Sequence, residues 1–123
     1  MNKLLELRTD LATALGALGI TTYTHVPGRL DLPGAFVMAG SPYIEQGQTF
    51  GERIVRFQVV IATQTGDNLS ETSALDELIL SAQAALEEDG WVVESIEQPY
   101  ASDFNNAKAL VTILNVSAPE TFN

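Results

Sequence analysis

The stretch Ile54-Val55-Arg56-Phe57-Gln58-Val59-Val60-Ile61-Ala62-Thr63 decides the fold. Val55, Phe57, Val59 and Ile61 alternate with Ile54, Arg56, Gln58, Val60 and Ala62, and the period of two in a strand sends the two sets to opposite faces of a sheet. One face is purely apolar, so it must be covered by another layer; the other face is mixed. Upstream, Tyr43 to Thr63 reads as a long hairpin with its tip at Gln46-Gly47-Gln48-Thr49-Phe50-Gly51, where glycines supply unusual backbone angles and Phe50 stands at the end.

Further strands lie on either side of this hairpin. Ala35-Phe36-Val37-Met38-Ala39 is a short apolar run suited to a central strand, ended by Gly40-Ser41-Pro42. Thr21 to Val26 is β-rich and leads into a turn-rich connection around Arg29, Leu30 and Asp31, bracketed by Pro27-Gly28 and Pro33-Gly34. Trp91 to Ile96 reads as the next strand. A connection containing Pro99, Tyr100, Asp103 and Phe104 follows, and Ala109 to Val116, apolar on both sides, is the last strand.

Two amphipathic helices supply the covering layer. Leu4, Leu7, Leu11, Ala14, Leu15 and Leu18 recur at spacings of three and four, on one stripe of a helix ending at Gly19. A second helix starts near Asn68, with Glu71 at capping-box spacing, and ends near Asp89-Gly90. Its apolar arc is Ala74, Leu75, Leu78, Ile79, Ala82, Ala85 and Leu86, while Leu80 and Ala84 fall on the polar side with Ser73, Asp76, Glu77, Gln83, Glu87 and Glu88. The order α-β-β-β-α-β-β predicts an α+β two-layer sandwich: a mainly antiparallel sheet of about five strands with both helices on one face.

Composition agrees with one packed domain over 1–123. The chain is 46% hydrophobic, too apolar for a disordered acidic tail, and it has no cysteine, hence no disulfide framework, thiol nucleophile or Cys-ligated zinc. Sixteen acids against six bases give a net charge of −10, which argues against tight nucleic-acid binding. Ten of the sixteen acids lie between Arg56 and Lys108, a span without Lys or Arg, so the whole excess sits on the second helix and the segment after it. Two readings of this excess stand: a solubilising face, or a surface aimed at something that must slide past or be repelled. Glu6 and Arg8 interrupt the N-terminal apolar residues, no signal-peptide core can be drawn, and no apolar run approaches the roughly 18 residues of a membrane span. No membrane is expected as a partner.

The sequence offers little for catalysis. His25, the single histidine, precedes Val26-Pro27 without a serine or cysteine in a nucleophile-elbow context. Asp31, Glu45, Glu52 and Asp67 could supply an acid/base pair, but no two are privileged by spacing. One histidine without cysteine leaves no zinc ligand set, the spaced Asp and Gly pattern of a calcium loop is missing, and the glycines form no phosphate-cradling run before a helix. The expectation is a protein that is not an enzyme, with no cofactor and no metal.

Surface association is the better-supported theme. With both helices on one sheet face, the other face would leave Val60, Ala62 and either the Leu110 or the Val111 set uncovered in a monomer, which predicts an oligomer or a permanent partner. Phe50 at the hairpin tip, Leu80 with Ala84 on the polar helix side, and Tyr100 with Phe104 are aromatic or apolar residues set among polar ones, the usual anchors of interfaces. Each also has a local reading: Phe50 folded on its own hairpin, Leu80 a tolerated exposed leucine, Tyr100 and Phe104 covering the core.

The order of elements, together with Val26-Pro27-Gly28, Leu32-Pro33-Gly34-Ala35, Gly40-Ser41-Pro42-Tyr43-Ile44, Phe50-Gly51 before Arg53-Ile54-Val55-Arg56-Phe57, the acidic second helix, Gly90-Trp91 and Pro99-Tyr100, resembles the small tail-terminator (tail-completion) proteins of long-tailed bacteriophages. The similarity covers nearly the whole chain through scattered turn and aromatic positions, none of them a catalytic signature. It implies a structural virion protein, assembled in the host cytoplasm as a hexameric ring on the head-proximal end of the tail tube. Such a ring halts tube polymerisation and contacts a head-completion protein, and an acidic lumen would let DNA pass without tight binding. A head-tail connector or neck protein is the alternative of the same class; a small-molecule-binding α+β regulatory module is the alternative of a different one. The resemblance carries over no functional residue, and the interface candidates Phe50, Arg53, Arg56, Leu80 and Tyr100 come from the residues themselves.

Overall fold

The computed structural model describes residues 3–25, 34–47, 51–64, 69–104 and 107–121. The elements are α1 (Lys3–Gly16), β1 (Thr21–Tyr23), β2 (Gly34–Gln46), β3 (Glu52–Gln64), α2 (Leu69–Glu88), β4 (Val92–Ile96), β5 (Tyr100–Phe104) and β6 (Ala107–Thr121). The fold is α+β with two helices and a six-stranded, mainly antiparallel sheet in the order β1-β2-β3-β6-β4, β5 pairing with β6 beside β4. Only β1 and β2 run parallel.

Two details differ from the sequence expectation. Tyr100–Phe104 is a strand rather than a connection, so the order gains a β element and the sheet a sixth strand. Ala, Ser and Asp in this stretch have poor intrinsic strand preference, and the strand forms because β6, 15 residues long, extends far enough to offer it a partner. Gly40-Ser41-Pro42 also does not end β2. The strand continues to Gln46 through a shift of register between Ala39 and Ile44, with Ser41-Pro42 in the cis form.

β3 is central. It pairs with β2 on one side and along its whole length with β6 on the other, from Glu52 opposite Thr121 to Gln64 opposite Ala109. Its apolar face forms the main core: Val55, Phe57, Val59 and Ile61 meet Leu7, Leu11 and Leu15 of α1 and Leu75, Ile79, Ala82 and Leu86 of α2. Both helices therefore bury their stripes on the same side of the sheet. Phe57 is fully buried and meets Tyr43 and Trp91 edge-on, with centroids 5.6 and 5.9 Å away.

Trp91 reaches that position through the end of α2. The Gly90 amide donates to the Glu87 carbonyl at 3.1 Å and the Trp91 amide to the Leu86 carbonyl at 3.0 Å, a Schellman pair in which Gly90 takes φ of 96°. The tight reversal places Leu86 and Trp91 in one cluster and launches β4 against β6. A residue with a Cβ at 90 would be strained in this left-handed conformation.

Candidate functional site

The second sheet face divides into two halves. At one end Phe36, Val60, Ala62, Ala109 and Val111 form a separate buried cluster, with Tyr23, Met38 and Ile113 packed against it. Val60, Ala62 and Val111 are at most 3% exposed. The expectation that they would be uncovered in a monomer is thus wrong: this end of the face is closed within the chain. Leu110 is turned to the opposite face, against the main core. An apolar surplus on the second face gives no reason for oligomerisation.

The other half of the same face is polar and accessible. Arg56 lies between two acids: its Nη1 donates to Glu45 Oε1 at 2.8 Å and its Nε to Glu94 Oε1 at 3.3 Å. A bulge between Val93 and Ser95 leaves Glu94 as the extra residue of β4. The Glu45 hydrogen bond first, and the Glu94 charge after it, raise the Arg56 pKa further above its ordinary value against some desolvation. Next to this triad Gln58 donates to Asn115 Oδ1 at 3.2 Å, and Asn115 donates to Ser95 Oγ and Glu97 Oε2, both at 3.0 Å. These contacts tie β3, β6 and β4 together across a solvated surface.

The sequence-predicted interface residues do not converge on one patch. Arg56 is committed to the ion triad. Arg53 alternates with it along β3, so the two point to opposite faces, and Arg53 Nη1 donates to the Glu52 carbonyl at 3.0 Å. Leu80 is 65% exposed on α2, on the helix side of the molecule. Tyr100, 48% exposed, is opposite Val111 in the β5–β6 pair and so belongs to the second face, six residues along β6 from Ser117, the partner of Arg56. Phe50 and the side chain of Phe104 lie outside the described residues. Leu80 and Tyr100 are exposed as interface anchors would be, but on different sides.

Three exposed apolar residues escaped the sequence reading: Leu5, Ile44 and Val92. Ile44 and Val92 lie in strands whose alternation predicts only which face a side chain takes, not that both strands run along sheet edges. β1 covers β2 only from Gly34 to Phe36, so the outer side of β2 beyond Phe36 carries no strand among the described residues. β4 ends the sheet on the other side.

Among the described residues no group of three or more His, Asp or Glu side chains could hold a metal ion, and no helix is long and apolar enough to cross a membrane. No protein-family model matches the chain, and no curated protein matches it.

Proposed function

We propose that the chain is a structural subunit of a ring that caps the head-proximal end of a phage tail tube, stops tube polymerisation and forms the joint to a head-completion protein. The observation that carries this reading is the placement of exposed apolar side chains on opposite edges of one sheet: Ile44 on β2, 43% exposed, and Val92 on β4, 55% exposed. Two unlike apolar points on opposite edges of one subunit suit a head-to-tail contact, and such contacts form closed rings when the rotation closes. Leu80 adds an apolar point on α2, the helix packed beside β4. The acid excess supports the same reading, since Asp76, Glu77, Glu87 and Glu88 on the outer side of α2 would repel a passing polyanion. The tail-terminator resemblance adds the hexameric ring order, the tail tube protein and head-completion protein as partners, and the virion as location.

The test is electron microscopy of growing tail tubes with and without the purified chain. Ring-shaped caps and a halt in elongation are expected. Unchecked elongation with the chain remaining monomeric at tube ends would sink the reading, and rings that leave tube growth unchanged while binding a head-side connector would move the protein to the neck.

A further inference from the structure

In a chain with sixteen acids and six bases, Arg8 is held, among the described residues, by neutral groups only. Its Nη1 donates to the Thr24 carbonyl at 3.3 Å and its Nη2 to the Tyr43 hydroxyl at 3.2 Å, while Cζ stands 5.5 Å from the centre of the Phe57 ring. Among the described residues no carboxylate pairs with it, whereas Lys3 is paired with Glu120 and Arg56 with Glu45 and Glu94. The half-buried guanidinium is fixed by three elements, since Arg8 is on α1, Thr24 follows β1 and Tyr43 is on β2. It lines a 360 Å³ pocket together with Leu4, Leu5, Thr24, His25 and Tyr43.

We infer that this pocket is a binding site for a monocarboxylate carried on an apolar stem. A guanidinium presents parallel N–H donors that match the two oxygens of a carboxylate, and one positioned by neutral acceptors and an aromatic face loses little freedom on pairing. The Tyr43 and Thr24 hydroxyls and the His25 ring add polar groups at the same wall, with Thr24 Oγ1 and His25 Nδ1 3.2 Å apart. Leu4 and Leu5 form the apolar wall a short methylene chain would cover. A single guanidinium in a molecule of net charge −10 favours a singly charged ligand over a dianion such as phosphate. The carboxylate can be a free short-chain acid or a glutamate side chain of a peptide segment; the recognition chemistry is the same. The site is independent of the ring reading, and either can fail alone.

The test is an NMR titration of the full chain with three probes: hexanoate, hexanol as its neutral counterpart, and an N-acetyl-leucyl-glutamate amide. Saturable shifts of the Leu5, His25 and Tyr43 signals are expected with hexanoate or the capped dipeptide, and the tighter of the two identifies the source. Hexanol should bind at least about tenfold more weakly than hexanoate, as should hexanoate to Arg8→Met, which keeps an apolar stem over Phe57 but has no charge. Arg8→Lys keeps the charge without the fork and should fall between. Absence of saturable shifts with both carboxylates, or hexanol binding as well as hexanoate, overturns the assignment; the wild-type comparison decides even if Arg8→Met does not fold.

Discussion

Gly40 of β2 lies so close to Arg56 of β3 that a Cβ added to it would stand 2.7 Å from Arg56 Cβ and 2.8 Å from the Arg56 carbonyl carbon. The obstructing atoms are backbone and a Cβ, so no side-chain rotation relieves the overlap, and the strands would have to separate where β2 shifts register. Gly40→Ala should therefore lower stability by about 1–3 kcal/mol, the range for overpacking. Urea denaturation should show a lower midpoint with an unchanged slope. A midpoint equal to the wild type would mean that the strands are not this close.

Folding and assembly should separate cleanly between Val60 and Leu80. Val60 is buried in the second cluster of the chain itself, so Val60→Ala should cost about 1.5–3 kcal/mol in a monomer, measured by thermal or chemical unfolding at low concentration. Leu80 is largely exposed, so Leu80→Ser should change stability by only about 0.5 kcal/mol or less. If the ring reading holds, Leu80→Ser weakens capping of tail tubes without weakening the fold. A Leu80→Ser protein that unfolds much more readily would place Leu80 in intramolecular packing instead.

The fold was readable wherever side-chain periodicity reports burial directly. The stripes of α1 and α2 and the alternation of β3 each point to a layer that exists, because a regular element with one apolar face has to bury it. Alternation does not report what lies over a face: the apolar half around Val60 and Val111 and the polar half around Arg56 and Asn115 come from strands of similar pattern, and only the register between β3, β6 and β2 sorts them. Tyr100–Phe104 went unread because its strand character depends on β6, far more than on its own residues; the two asparagines at 105–106 between the paired segments were the available turn signal. Arg8 was hidden for a similar reason. Its partners Thr24, Tyr43 and Phe57 are 16, 35 and 49 residues away, beyond any local spacing rule.

Lys3 and Glu120 join the first turn of α1 to the end of β6 across 3.1 Å. The hydrogen bond that Lys3 donates to Glu120, followed by the Glu120 charge, raises the Lys3 pKa above the ordinary lysine value. With a folded pKa above the unfolded one, the stabilising contribution is fully present below the unfolded lysine value and is lost as pH climbs through the folded one. Neutral and acidic pH down to carboxylate protonation should leave the pair intact, and only strongly alkaline solution should release it. Following the Lys3 side-chain nitrogen by NMR, Glu120→Gln should lower its titration midpoint. An unmoved midpoint would show that the pair does not persist in solution. The pair is solvent-accessible, so its effect on overall stability should be slight and should fade with added salt.

Thr63 presents the opposite case, a group whose removal should help. It lies near the end of β3 at 5% exposure, and its Oγ1 is buried with no hydrogen-bond partner among the described residues. A buried hydroxyl that has given up water and gained nothing in return costs about 1–3 kcal/mol. Valine has nearly the same shape, keeps the β-branch that suits a strand, and places a methyl group where the hydroxyl was. Thr63→Val should therefore raise stability by about 1 kcal/mol, read as a higher urea midpoint at unchanged slope. Thr63→Ser is the informative companion: it retains the stranded hydroxyl and loses a methyl group, so it should fall below the wild type. If Thr63→Val is instead destabilising while Thr63→Ser is neutral, the hydroxyl has a partner in solution, and the burial of this end of β3 would have to be reconsidered.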